Sequence, residues 1–236
     1  MAVFACIGDV HGALGPLTTV VRWLEGRNID GVLLVGDFAT SAGWAASKSG
    51  LASCVAEVLT IVRCLRKPIL LVPGNHDQPD CPCDENIDRR TVEVAGTTVT
   101  GLGGSGPHIL GFPYEWRDEE IADLNLGVGE LFLTHTPPAL TKLDTLLHSG
   151  QHVGSQSVRM LATKSRALVC GHVHEAAGID LVDGCVCYNT GSLGEPFGRT
   201  QVGFVSVCDS GVRVEHWQET AEHGWIQTDS WPENSE

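Results

Sequence analysis

Positive charge is scarce in this sequence: 15 Lys and Arg stand against 29 Asp and Glu, for a formal net charge of −14. A surface dedicated to nucleic-acid backbone or to an anionic membrane needs a positive face to release counterions, so this balance argues against both partners. It leaves room for a local positive field of the kind that bound metal supplies. Long apolar runs are missing as well. The run over residues 3–7 breaks at Gly8-Asp9, too short for a signal-peptide core and without a basic leader, and nothing approaches the length of a membrane span. The expected location is therefore cytoplasmic. No low-complexity tract or repeat interrupts the chain. Its nine cysteines also lack the C-x-x-C spacing of zinc knuckles and redox loops. Cys81/Cys83 and Cys185/Cys187 are C-x-C pairs, and several others fall in apolar runs, so reduced thiols acting as small hydrophobes are expected.

What is present is one core's worth of apolar sequence in 236 residues, which we read as one domain over residues 1–218 followed by an acidic, loosely held tail over 219–236 that Trp225 and Trp231 could dock. Short apolar runs at 3–7, 32–35 and 69–72 read as buried strands. Between them, residues 14–24 and 51–66 carry apolar residues at helical spacing. This β-α-β-α-β order implies parallel strands whose following loops emerge on one edge of the sheet, where α/β proteins bind ligands. Residues 92–94 and 97–102 read as a hairpin. The glycine run from Gly101 to Gly106 lacks the Gly-Lys-Ser/Thr ending of a phosphate-binding loop. A short helix at 118–124, a strand at 131–134, a helix at 156–162 and a strand at 167–170 follow. Strands alone are expected at 186–189, 202–208 and 212–217, with Asp209-Ser210-Gly211 as a hairpin turn. Mixed elements first and antiparallel strands last predict two sheets packed face to face with helices outside.

The chemistry collects at predicted strand ends: Asp9 and His11, Asp37, Asn75 and His76, His135, then His172 and His174. Five of the ten histidines fall in these loops, which ordinary surface placement does not explain. Imidazole, carboxylate and amide oxygen without thiolate suit Mn, Fe, Zn, Co or Ni, and eight residues exceed what one four-coordinate ion uses. Two divalent ions sharing a carboxylate use the set economically.

Read together, Gly8-Asp9-Val10-His11-Gly12, Gly36-Asp37, Gly74-Asn75-His76-Asp77, His135 and Gly171-His172-Val173-His174 resemble the five motifs of the calcineurin-like metallophosphoesterase superfamily. Asn189-Thr190-Gly191-Ser192-Leu193 resembles its Asn-Pro-Gly-Ser segment, with Thr for Pro. The resemblance implies an α/β fold of four layers, a two-sheet β-sandwich flanked by helices. It implies that Asp9, His11, Asp37 and His174 hold one metal and that Asp37, Asn75, His135 and His172 hold the other, with Asp37 as the bridge. It further implies that His76 is not a ligand but faces the substrate, and that water activated between the ions attacks a phosphoester in line.

One segment departs from the pattern. Protein phosphatases of the superfamily carry GDYVDRG where this chain has Gly36-Asp37-Phe38-Ala39-Thr40-Ser41, so Thr40 replaces the Asp that orients the catalytic His, and Ser41 replaces a phosphate-binding Arg. That argues against a protein phosphatase and against the symmetrical dinucleotide hydrolases, and it slightly favours a monoanionic diester over a dianionic monoester. Arg117 and Arg199 are candidate substrate contacts in place of the missing Arg, although an exposed role fits each equally well, and His108, just past the glycine run, is a candidate to line the cleft for which an ordinary loop role is favoured. The expected partner is a small phosphoester. The alternatives are a non-catalytic scaffold of the same fold, which the presence of His76 opposes, and a nuclease, which the absence of a basic stripe opposes.

Overall fold

The first strand shows why this sequence builds layers. In β1 (Ala2–Ile7), Ala2, Phe4 and Cys6 join one apolar cluster while Ala5 and Ile7 join another, as the alternation of a pleated strand requires. A strand apolar on both faces has to be covered on both sides. The computed structural model describes residues 1–39, 48–106, 111–124 and 126–232, and it supplies both covers.

One face of β1 packs on α1 (Leu14–Leu24) and α2 (Lys48–Val62), which bring Leu17, Val20, Val21 and Leu24 and then Val55, Val58, Leu59 and Val62 into a common cluster. Each such fully buried aliphatic side chain contributes about 1.5–3 kcal/mol. The other face meets a second sheet. The first sheet begins with β1, β2 (Gly31–Leu34) and β3 (Ile69–Leu71) in parallel. The second is built from β4 (Thr91–Val94), β5 (Thr97–Leu102), β6 (Leu131–Thr134), β7 (Ala167–Cys170), β8 (Gly178–Val182) and β9 (Cys185–Asn189). Its order is β4-β5-β6-β7-β9-β8, parallel from β5 through β9 with an antiparallel strand at each edge. Its inner residues, among them Leu131, Leu133, Val169 and Tyr188, close the inter-sheet core. Its outer residues, among them Phe132, Leu168 and Cys170, pack under α3 (Asp118–Ala122) and α4 (Gln156–Ala162). The result is the expected two-sheet sandwich with helices on both outer faces.

The chain ends in β10 (Gln201–Cys208), β11 (Gly211–Thr220) and β12 (Gly224–Trp231), antiparallel strands that complete the first sheet in the order β12-β11-β10-β1-β2-β3. This corrects the expected tail. A boundary at residue 218 cuts through β11, and residues 224–231 form an edge strand paired with it. Trp225 stacks on Trp23 of α1 with ring centroids 4.2 Å apart, and Trp217 lies 5.5 Å from the same indole. The polar composition of this segment belongs to an edge strand that faces water on one side. The sequence reading also missed β8, although Asp183-Gly184, with φ of 46° and 92°, forms the left-handed turn that pairs it with β9. The second helix is shorter than predicted: it ends at Val62, and the 3-10 turn Arg63–Leu65 carries the chain to Arg66 at φ 54°. All nine cysteines are free thiols. Among the described residues no helix is long and apolar enough to cross a membrane.

Candidate metal centre

Parallel strands of both sheets deliver their following loops to one edge of the sandwich. Asp9 and His11 follow β1, Asp37 follows β2, Asn75 and His76 follow β3, His135 follows β6, and His172 and His174 follow β7. The first two loops are zipped together beyond the strands, with Asp9 N–H donating to Gly36 O at 3.1 Å and His11 N–H to Asp37 O at 2.9 Å. Four of the clustered residues hold left-handed backbone: Asp9 at φ 47°, His11 at 43°, Asp37 at 53° and His172 at 69°. Non-glycine residues seldom adopt this conformation, and a concentration of it marks a functional constraint. Gly74 accounts for the closest approach, since a Cβ there would stand 2.1 Å from Asp37 Oδ1.

The structure brings all seven predicted ligands into one cluster. Asp9, His11, Asp37 and His174 each offer a donor atom, and these four atoms lie within 4.8 Å of one another. Asp37 is central. Its Oδ1 accepts the His76 backbone N–H at 2.9 Å, while its Oδ2 lies 3.4 Å from His11 Nε2, 3.5 Å from His135 Nε2 and 3.9 Å from His76 Nε2. On one side of it, His174 Nε2 stands 3.3 Å from Asp9 Oδ1 and 3.1 Å from His11 Nε2. On the other, Asn75 Oδ1 lies 2.9 Å from His135 Nε2 and 3.0 Å from His172 Nδ1.

Tautomers follow from the backbone. The Nδ1–H groups of His11, His135 and His174 donate to the carbonyls of Ala39, Val35 and Pro196 at 2.9, 2.7 and 2.8 Å. In the neutral form each Nε2 turns a lone pair inward, so that His11 and His174 oppose two acceptors and His135 faces the Asn75 oxygen. Such a set repels itself until positive charge sits among it, which is the arrangement of imidazole ligands oriented by carbonyl partners. The cluster therefore fits metal. The titration of the polypeptide's own groups shows the same demand. Burial pushes the His135 imidazole down, but attraction to Asp37 and the hydrogen bond between them outweigh it and raise it to about 9. Burial likewise raises the Asp37 carboxyl, yet His135, His11 and His76 together hold it well below its ordinary range. His172 is driven down to about 3 by burial and by the nearby His135.

Asp77, the last residue of the Gly74-Asn75-His76-Asp77 motif, lies outside the donor set. Its buried carboxylate accepts N–H groups from Gly74 at 2.8 Å, Phe38 at 3.1 Å and Ala39 at 3.4 Å, and so clamps the loop after β3 to the loop after β2. Burial and the charge of Asp37 push it up to about 7 against the pull of those donors. The segment Asn189-Thr190-Gly191-Ser192-Leu193 has a similar holding role: Ser192 Oγ–H, Leu193 N–H and Gly194 N–H all donate to Asp9 O. His76 faces Phe112, whose ring centroid lies 4.2 Å away, a neighbour the sequence reading did not single out. A signal was available in the aromatic residues Phe112, Tyr114 and Trp116 just after the glycine run.

Both candidate arginines are exposed. Arg117 is exposed at the start of α3. Arg199 is exposed, donates its backbone N–H to Ser192 O, and directs its charge at His216. His108, Thr40 and Ser41 lie outside the described residues.

The model of the calcineurin-like phosphoesterase family matches residues 2–176. An uncharacterised protein of Methanocaldococcus jannaschii, MJ1162, is 33% identical over 137 residues, a match that spans 51% of this chain and 62% of that protein's length. Among solved structures, a dimetal phosphatase from Danio rerio superposes with a TM-score of 0.65 at 10% identity, covering 97% of each chain. An archaeal phosphodiesterase superposes at 0.51 with 18% identity, over 90% of this chain and 98% of its own. The two solved structures share the fold, and the family model spans every loop that builds the cluster: this chain belongs to the calcineurin-like phosphoesterase family.

Proposed function

We propose that this protein is a hydrolase of small phosphoesters that works with two divalent metal ions. The observation that carries the reading is the inward-facing set of nitrogen and oxygen atoms on both sides of Asp37 Oδ2, with His11, His135 and His174 each fixed by a backbone carbonyl. Asp9, His11, Asp37 and His174 would hold one ion, and Asp37, Asn75, His135 and His172 the other. When bound, two such ions supply Lewis acidity and a lowered water pKa. The remaining work falls to the chain. Asp37 joins the two half-sites, and Asp77 fixes the loops that carry Asp37 and Asn75. With +4 from metal against −2 from Asp9 and Asp37, the pocket attracts an anion although the chain as a whole is acidic.

His76 is the substrate-facing residue in this reading. Burial lowers its imidazole, although the charge of Asp37 works in the opposite direction. In the neutral form it presents an N–H to a phosphoryl oxygen. A seated anionic substrate then favours the protonated form, which supplies the proton that a departing alkoxide needs.

A diester is favoured slightly over a monoester, because both candidate arginines are exposed and Ser41 stands where a phosphate-binding Arg would be. The nine free thiols support a reducing, cytoplasmic setting. Protein reconstituted with Mn, Fe, Zn, Co or Ni and assayed on bis-aryl and mono-aryl phosphates tests the proposal. Metal-dependent hydrolysis with the higher kcat/KM on the diester is expected. A clear monoester preference reverses the ordering, and two bound ions without turnover of either ester would make the protein a scaffold.

A further inference from the structure

A histidine that moves a proton needs its ring held by a third group, usually through a hydrogen bond to the nitrogen that does not react. Among the described residues, His76 Nδ1 is buried without a hydrogen-bond partner. The Asp37 carboxylate holds the His76 backbone N–H, which fixes the loop and leaves the side-chain torsions free. Asp37 Oδ2 stands 3.9 Å from the other ring nitrogen, beyond hydrogen-bonding distance, and the closest packing on the imidazole is from other rings: Phe112 at 4.2 Å with planes tilted 38°, and His11 edge-on at 5.1 Å.

We propose that Phe112 is a positioning residue, whose ring sets the orientation of His76 in place of a hydrogen-bonded carboxylate. The inference rests on the assignment of His76 as the substrate-facing histidine. It draws support from the way the segment bearing Phe112 is anchored. Tyr114 N–H donates to Asn75 O at 3.2 Å, which ties residues 112–116 to the same turn that carries His76. Tyr114 Oη–H donates to Asp88 Oδ2 at 2.5 Å, and Asp88 Oδ1 accepts Gly103 N–H at 2.7 Å. Gly104 N–H donates to Pro73 O at 2.9 Å, and Trp116 Nε1–H to Gly103 O at 2.9 Å. Gly104 holds φ 73°, and a Cβ there would stand 2.8 Å from Trp116 Nε1, so the glycine run and the aromatic segment lie flush. Phe112 is thus referenced to Asn75 through a short chain of bonds, and a preferred ring-to-ring geometry can pass that reference on to His76.

The test compares Phe112→Leu, which keeps apolar volume, with Phe112→Tyr, which keeps the ring. Metal content, kcat and KM on a bis-aryl phosphate, and the NMR shifts of the His76 ring protons are read for each, the latter assigned with a His76→Gln variant. Phe112→Leu is expected to lower kcat about tenfold with KM changed less than about twofold, to keep its metal, and to lose the ring-current shift on His76. Phe112→Tyr is expected to restore most of the turnover and the shift. An unchanged kcat or an unmoved His76 resonance in Phe112→Leu would overturn the proposal, and so would loss of metal together with activity, which marks a structural role. Should the parent protein hydrolyse nothing, the proposed function fails, and the ring-current shift still decides whether Phe112 sets the imidazole.

Discussion

The first sheet contains two halves that share one hydrogen-bonded ladder and differ in almost everything else. Its parallel half, β1 to β3, is apolar on both faces and runs into loops where Asp9, His11 and Asp37 hold left-handed backbone. Its antiparallel half, β10 to β12, is joined by tight turns and held by side-chain packing, with Trp225 on Trp23 and Arg27 over the same indole at 3.5 Å. Chemistry gathers in the first because parallel strands all end on one edge, whereas antiparallel strands alternate their ends. Strained backbone at the ligand loops has to be over-determined by the structure around it. The clamp of Asp77 and the three donors on Asp9 O do this locally, and the antiparallel half adds buried surface behind them.

Substitutions should therefore separate the halves. The largest effect is expected at the carboxylate shared by both donor groups: Asp37→Asn abolishes hydrolysis and lowers metal content, measured by elemental analysis after gel filtration, with the protein still folded by circular dichroism. His76→Ala comes next, with kcat down about 10²- to 10⁴-fold and both ions retained. If it lost metal instead, the division between ligand and proton donor would be wrong.

In the antiparallel half, stability should respond and metal binding should not. His216, buried with its Nδ1 hydrogen-bonded to Tyr188 Oη at 2.6 Å, is held down to about 4 by burial and by the charge of Arg199. A depressed folded value means that the stabilising effect is complete above the ordinary histidine range near 6.5 and is lost as pH falls toward 4, by up to about 3 kcal/mol. Urea denaturation of His216→Gln should show a flatter pH dependence across that window than the parent protein does. An identical slope would remove the assigned burial cost. The smallest effect is expected for Trp225→Ala, a loss of about 1–2 kcal/mol from an edge aromatic with unchanged metal stoichiometry.

The two halves also differ in how readily the sequence discloses them. Each ligand loop was legible because an apolar run and a chemically distinctive side chain are adjacent in the chain, and the β-α-β order alone places three such loops on one edge. Asp77 was not legible, since its partner Phe38 N–H lies 39 residues away in sequence and only the fold brings it near. β12 was mistaken for a tail because edge strands alternate polar with apolar residues weakly, and its docking depends on Trp23, some 200 positions earlier.

Anomalous diffraction from crystals grown with Mn²⁺ would test the central claim most directly. The account predicts two peaks per chain with Asp37 ligating both, Asp9, His11 and His174 on one, Asn75, His135 and His172 on the other, and His76 on neither. A single peak, or two peaks of which Asp37 touches only one, would contradict it.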